Sequence, residues 1–397
     1  MSLPDLKQAL DAIPERTYCE GTHRVAERLA IMLPDGDVAA VDDASFLDWL
    51  REHSELAPFG DGNATRRDWT VRYAQRLLAR DQVRIAGFDP ASVLGEIEAV
   101  LSPRVHLVAQ LTDVVLYPEG GRFARHKDTP RSPELVGTLV VGLPVPHAGG
   151  GFRIDDGQHP HVIDWSGPAA PMTVRWVALF SDVDHEVEPV TAGARVTLVY
   201  SLRRTDRPRA DPTWEARGAR LQAVLAPLAR HARWPLMIAC ARQVITDEHT
   251  QPLTLAGLRG LDRDLAEALV AAGFQVAVRS CIAAAPADDD TPARFPDVTE
   301  LYSVSRLTAP LTPTIIGALE EVVTFAEEAE ADEEEDLGAT SLAPYILDDI
   351  QLDQWVIRAN AAATMIHEAL FSESGYFGNE AYQAYLYTLA ALEVTRS

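Results

Sequence analysis

Residues Gly121 to Arg131 read GRFARHKDTPR, and within them His126 and Asp128 stand two apart. On an extended chain, residues i and i+2 project from one face, so an imidazole and a carboxylate point together while Lys127 points away. Two metal donors then come from one short element. His53 and Glu55 have the same spacing, but they fall on a predicted helix, where it makes them diverge. A lone His-x-Asp pair is commonplace at a protein surface, and a third donor is needed to make it a site. The run TVRWVALFSDVDHEV supplies one: a strongly apolar strand ends in a turn and then presents His185.

Two imidazoles and one carboxylate form the facial triad of non-haem Fe(II) oxygenases, which leaves three adjacent coordination positions open for substrate and dioxygen. Ten residues after His185, Arg195 opens the strand ARVTLVYSL, with Thr197 on the same face. A guanidinium on an otherwise apolar strand is costly unless it is paired, and its planar fork suits a carboxylate. The dicarboxylate 2-oxoglutarate fits that requirement.

The ordered set Tyr117-x8-His126-x-Asp128, then His185, then Arg195, resembles the Fe(II)- and 2-oxoglutarate-dependent dioxygenases, in particular the prolyl 4-hydroxylase-like superfamily. The segments YPEGGRFARHKDTPR, GTLVVGLPVPHAGGGFRI and VRWVALFSDVDHEVEPVTAGARVTLVYSL are similar to successive parts of that family's double-stranded β-helix, over about residues 100–203. Two further stretches, APFGDGNATRRDWTVR (57–72) and GYFGNEAYQAYLYTLAALEV (375–394), are similar to parts of large uncharacterised microbial and fungal members and carry no known chemistry. The resemblance implies that His126, Asp128 and His185 hold Fe(II), that Arg195 pairs with the distal carboxylate of 2-oxoglutarate, and that Tyr117 hydrogen-bonds the same carboxylate. Thr197 joins this cosubstrate set from strand parity alone. The implied activity consumes O2 and 2-oxoglutarate, releases succinate and CO2, hydroxylates a C–H bond, and uses ascorbate as reductant. A protein or peptide side chain is the expected substrate. A small molecule enclosed by the C-terminal region is the alternative, and a non-catalytic sensor of 2-oxoglutarate or iron is a third reading.

The elements around these residues differ in texture. Residues 1–100 read as mainly helical, with ASFLDWLREHSEL (44–56), TRRDWTVRYAQRLLARD (65–81) and DPASVLGEIEAVL (89–101) carrying apolar residues at three- and four-residue spacing. Residues 101–205 switch to short strand-like runs broken by Gly and Pro, the pattern of a β-sandwich or barrel. RRTDRPRADPT (203–213) reads as a linker, and 206–397 as a mixed α/β region of unassigned role. A second, degenerate β-helix for substrate docking is the alternative the resemblance leaves open for that region. The expected class is therefore α+β: a double-stranded β-helix (jelly-roll) core, N-terminal helices and a mixed C-terminal region. The acidic run EEAEADEEED (327–336) reads as a solvated loop.

Other candidates are weaker. His159 and His161 read as a loop pair, His147 as a turn residue, and Trp165 and Trp176 as core. Glycines 149–151 lack the following Lys-Ser/Thr of a phosphate loop. The chain has 397 residues, a formal net charge of −24 and three scattered cysteines, Cys19, Cys240 and Cys281. Its acidity argues against nucleic acid or an anionic membrane as partner, and the cysteines argue against a disulfide framework. No apolar run nears the roughly 20 residues of a membrane span, and the N-terminus has no signal-peptide layout, so a cytoplasmic setting is expected. The oligomeric state stays open. Arg122, Arg125, Lys127 and Arg131 flank the metal strand, where they either draw in an acidic polypeptide or balance the chain's own acid.

Overall fold

The apolar run VHLVAQLTDVVLY forms one strand, Val105–Tyr117, which pairs antiparallel with the strand Arg195–Pro208. In this computed structural model the described residues are 2–61, 64–78, 83–128, 132, 134–156, 160–167, 172–231, 233–244, 253–286, 303–307, 346–349, 351–372 and 381–396. His159, Arg131 and the acidic run 327–336 lie outside them.

The chain divides into two compact units, one of residues 16–130 and 134–214, the other of residues 1–15, 131–133 and 215–397. The first unit is built on two antiparallel sheets. The larger has seven strands in the order Tyr18–Arg24, Thr173–Phe180, Leu135–Gly142, Arg195–Pro208, Val105–Tyr117, Gln75–Leu78 and Glu55–Leu56. The smaller has five: His161–Ile163, Phe152–Asp155, Asp184–Val187, Arg122–His126 and Arg72–Tyr73. From Val105 to Pro208 the chain passes repeatedly between the two sheets, a jelly-roll-like arrangement within a mixed α+β fold.

One face of the large sheet is covered by the helix Ala91–Leu101, which packs on Val105–Tyr117, Tyr18–Arg24 and Thr173–Phe180 with Val93, Ile97 and Leu101 buried. The central strands are thus enclosed on both faces and read as near-continuous apolar runs rather than alternating ones. Trp176 to Phe180 are all buried, as are Leu139 to Val141 and Val114 to Tyr117. Each such aliphatic or aromatic side chain contributes about 1.5–3 kcal/mol by leaving water. The same helix buries a carboxylate: Glu98 accepts from the Leu107 amide at 2.7 Å and ion-pairs with Arg209 at 3.3 Å.

Two local expectations are corrected. Within 65–81, read as a helix, the described residues 65–78 instead give short strands at Ala64–Arg66, Arg72–Tyr73 and Gln75–Leu78, and 79–81 lie outside the described residues. Asp68 accepts from both the amide and the hydroxyl of Thr70, which folds a side-chain-closed turn where a helix would run. The open edge of Val105–Tyr117 then captures Gln75–Leu78. The N-terminal region is accordingly less helical than its spacing suggests, with helices at Leu3–Asp11, Phe46–Glu52 and Ala91–Leu101 among many short strands. The supposed linker 203–213 begins as strand, because Val105–Tyr117 offers hydrogen-bonding partners as far as Val105 opposite Pro208.

In the second unit the described strands lie in one seven-stranded sheet, with Ala381–Arg396 between Phe274–Pro286 and Leu236–Ala239, and with Leu236–Ala239 parallel to Trp355–Val356. The helix Gly260–Ala271 packs on Phe274–Pro286. Among the described residues no second sheet faces this one, so they do not form the second β-helix that the resemblance left open. Cys19, Cys240 and Cys281 are free and buried. No helix among the described residues is long and apolar enough to cross a membrane.

Gly137 marks the tightest approach in the large sheet: a Cβ there would lie 1.9 Å from the Leu179 carbonyl oxygen. Gly137→Ala should therefore destabilise the first unit by about 1–3 kcal/mol, the cost of overpacking. Chemical denaturation followed by tryptophan fluorescence checks this, and an unchanged midpoint would mean that the strands can part at no cost.

Candidate metal centre

The strand Arg122–His126 lies beside Asp184–Val187 in the small sheet, with His126 directly opposite His185. Register alone thus brings two imidazoles together from distant parts of the sequence, with ring centroids 4.2 Å apart. Asp128 follows two residues after the strand has ended, and its Oδ1 lies 3.9 Å from His185 Nε2. One ligand atom from each of His126, Asp128 and His185 falls within 4.8 Å of the others.

Each of the three donors is fixed from behind. The Nδ1–H of His126 donates to the Ala124 carbonyl at 2.8 Å, and that of His185 to the Val183 carbonyl at 2.9 Å. Both bonds select the tautomer that leaves Nε2 with a free lone pair. Asp128 accepts from the Thr138 hydroxyl through Oδ2, which leaves Oδ1 for a metal. Such outer hydrogen bonds orient metal ligands and raise their basicity. His126 also stacks on Phe123 at 3.5 Å, and the Arg72 guanidinium covers the far face of that ring at 4.5 Å. Burial, reinforced by the neighbouring His185, pushes His126 down to about 3, so its ring stays neutral and available as a donor at physiological pH. Two imidazole nitrogens and one carboxyl oxygen, converging and already oriented, fit a divalent transition metal with open positions.

Arg195 is 1% exposed and lies directly opposite Tyr117 across the central ladder. Its guanidinium sits 5.5 Å from the Tyr117 ring and 5.1 Å from the Trp165 ring, and its Nε and one Nη are buried without a hydrogen-bond partner. Burial lowers its pKa to about 10, so it remains a cation at neutral pH. A buried cation held by rings alone is a site prepared for an anion. Thr197, also 1% exposed, pairs with Val115 on one side and Gly142 on the other. Residues opposite one another in a ladder share a face, and alternation then puts Thr138, Gly142, Thr197 and Arg195 on the same side of the large sheet. Because Thr138 reaches Asp128, the metal ligands and the guanidinium belong to one side of that sheet.

Thr138 was not singled out in the sequence, although a hydroxyl among the apolar residues of LVGTLVVG was the available signal. Trp165 is no ordinary core residue: a Cβ on Gly142 would lie 2.7 Å from its ring, and it lines a cavity with Arg195 and His147. Trp176 is buried, as expected. His53 stacks on Trp49, while His161 bonds to Glu20 and stacks on Tyr18, away from the triad. The basic cluster is largely balanced by the chain's own groups. Arg125 pairs with Asp155 and Asp184 at 3.1 Å each, Lys127 lies 3.9 Å from Asp184, and Arg122 donates to the carbonyls of Trp69 and Thr70.

No family model and no curated protein matches the sequence. Among solved structures the chain is similar to a prolyl-4-hydroxylase from Pseudomonas putida, at 18% identity and a TM-score of 0.29 over 50% of this chain and 99% of that one. It is also similar to an oxidoreductase of the 2OG-Fe(II) oxygenase family from Burkholderia pseudomallei, at 17% identity and a TM-score of 0.29 over 53% and 93% of the two chains. A third is a prolyl hydroxylase from Trichoplax adhaerens in complex with a peptide fragment of the hypoxia inducible factor oxygen degradation domain, at 14% identity and a TM-score of 0.28 over 50% and 90%. At these TM-scores the overlap is too slight to bear on function.

Removing the Asp128 support should weaken the metal site without removing a ligand. Thr138→Val is expected to lower affinity for Mn(II) or Co(II) about 10–100-fold, as losses of such outer partners do, while Thr138→Ser retains most of it. Metal titration followed by calorimetry measures both, and equal affinities in the wild type and the valine variant would remove Thr138 from the site.

Proposed function

We propose that this protein is an Fe(II)- and 2-oxoglutarate-dependent dioxygenase that hydroxylates a C–H bond of a protein or peptide side chain, releasing succinate and CO2. The observation that carries the reading is Arg195, a buried, unpartnered guanidinium on the same side of the large sheet as a pre-oriented His-Asp-His triad. In this reading the strands from Val105 to Pro208 are a double-stranded β-helix, residues 101–205 are the catalytic core, residues 1–100 are an N-terminal region beside it in sequence, and residues 206–397 are a C-terminal region to which we assign no role. We assign a cytoplasmic setting, with the three buried free thiols as its support.

His126, Asp128 and His185 hold Fe(II), which when bound supplies activation of O2 coupled to decarboxylation of 2-oxoglutarate, with ascorbate as the reductant that keeps it ferrous. The chain's part is positioning. Arg195 grips the far carboxylate of 2-oxoglutarate, with the Tyr117 phenol and the Thr197 hydroxyl beside it as hydrogen-bond donors. The two sheets exclude water from the space they enclose. None of these side chains needs to act as a general base.

The peptide substrate rests on the resemblance of the motif set Tyr117, His126, Asp128, His185 and Arg195 to the prolyl 4-hydroxylase-like superfamily. A small-molecule substrate is favoured by one observation, the pairing of Arg125 and Lys127 with Asp155 and Asp184, which leaves little free positive charge to draw in an acidic polypeptide. Comparing proteomes of wild-type and Asp128→Ala cells for peptides that gain one oxygen separates the two.

The purified protein should convert 2-oxoglutarate to succinate only with Fe(II) and O2. Alanine at His126, Asp128 or His185 should abolish this, and His53→Ala should leave it intact. Arg195→Ala should raise the 2-oxoglutarate requirement by about 30-fold or more with metal affinity unchanged, since losing one partner of a buried charged pair costs about 2–5 kcal/mol and each 1.4 kcal/mol is a decade. Arg195→Lys should recover part of that by keeping the charge. An unaltered requirement in Arg195→Ala would sink the cosubstrate assignment.

A further inference from the structure

The cavity beside Arg195 is lined by a second group with a buried polar atom that the reaction proposed above does not use. His147 lies on the short strand His147–Gly149, paired with Val190–Gly193 just ahead of Arg195. Its Nδ1–H donates to the Val145 carbonyl at 3.0 Å, so in the neutral ring Nε2 carries a lone pair. That Nε2 is buried without a partner, as are Nε and one Nη of Arg195. Both side chains line one cavity of about 30 Å³, walled also by Trp165, Gly142 and Arg175. The volume suits the end of a ligand rather than the whole of one.

Unpaired buried polar atoms are rare, and two residues with such atoms facing one cavity call for a common explanation. An anion answers Arg195 at once. It does not answer a neutral His147, because with Nδ1–H committed to Val145 the ring would set a lone pair against a carboxylate oxygen. Only Nε2–H can donate there, and Nε2–H together with Nδ1–H means an imidazolium. We propose that His147 is the proton-linked half of the cosubstrate site: the far carboxylate of 2-oxoglutarate is held by Arg195 and by His147 Nε2–H together, and its arrival draws one proton from solvent onto that nitrogen. This rests on the reading of Arg195 as the cosubstrate residue.

The groups facing His147 agree with a ring that is neutral when the site is empty. Arg195 and Arg175 oppose its protonation, Asp164 and the Val145 carbonyl favour it, and burial, the largest influence, holds its pKa below the usual histidine value. An entering carboxylate adds an opposite charge and moves that pKa up. The sign follows. Below the free pKa the ring is already charged and affinity is flat with pH. Between the free and bound values affinity falls by about tenfold per pH unit as pH rises, and above the bound value it is flat again.

The test is calorimetric titration of 2-oxoglutarate into the Mn(II)-loaded protein without oxygen, in buffers of different ionisation enthalpy. Expected for the wild type is uptake approaching one proton per 2-oxoglutarate at neutral pH, with affinity falling toward alkaline pH. In His147→Gln, whose amide donates without titrating, uptake and pH dependence should both vanish while binding persists. If that variant does not fold, His147→Asn takes its place. Tight binding with no proton uptake in the wild type, or uptake unchanged in the variant, overturns the role of His147 and leaves Arg195 standing. No binding of 2-oxoglutarate to the metal-loaded wild type overturns the cosubstrate reading itself, and this inference with it.

Discussion

The antiparallel ladder between Val105–Tyr117 and Arg195–Pro208 sets the geometry of everything else. Register alone places Arg195 against Tyr117 and Thr197 against Val115. A slip of one residue would turn each of these side chains onto the helix-covered face of the sheet, where a guanidinium has no access to a ligand. Arg195–Pro208 pairs on its other edge with Leu135–Gly142, and that second register puts Thr138 on the same side as Arg195. The Thr138 hydroxyl then holds Asp128. One pair of registers therefore determines both where Asp128 is held and which side of the sheet the guanidinium faces.

The convergence of His126, Asp128 and His185 was legible because its pattern is local and ordered: a His-x-Asp at the end of one strand and a His after the turn that closes another. Parity, though, explains less than it promised. The strand ends at His126, so Asp128 is aimed by the Thr138 hydroxyl and not by continued alternation. The imidazoles are likewise aimed by backbone carbonyls two residues upstream, bonds that no residue type announces. The core strands were legible for a different reason. Burial on both faces writes itself as continuous apolar sequence, as in VRWVALF and TLVVG.

What escaped the sequence was decided by distant partners. Tyr18–Arg24 joins the large sheet beside Thr173–Phe180, yet YCEGTHR carries no apolar periodicity to foretell it. In 65–81 helical spacing was real, but the Asp68–Thr70 turn and an open sheet edge outweighed it. His147 and Trp165 looked like a turn residue and a core residue because each is unremarkable beside its neighbours in sequence. They become informative only where the chain folds them around Arg195.

Under the proposed function, Arg195 is the clearest instance of stability given up for binding. Contact of a cation with an aromatic face is worth about 0.5–2 kcal/mol, whereas the penalty for burying an ion is several kcal/mol. Tyr117 and Trp165 thus recover only part of what burial takes. A guanidinium whose purpose was structural would be paired, as buried Arg358 is with Asp262 in the second unit. Left unpaired inside the first, Arg195 carries a deficit that a bound anion would remove, and the proposed cosubstrate site would draw its affinity from that. His147 extends the same logic. A ring kept neutral by burial beside two guanidiniums would set a lone pair against an anion, so in the proposed site an arriving anion takes up a proton from solvent, and its occupancy would be linked to the proton activity of that solvent.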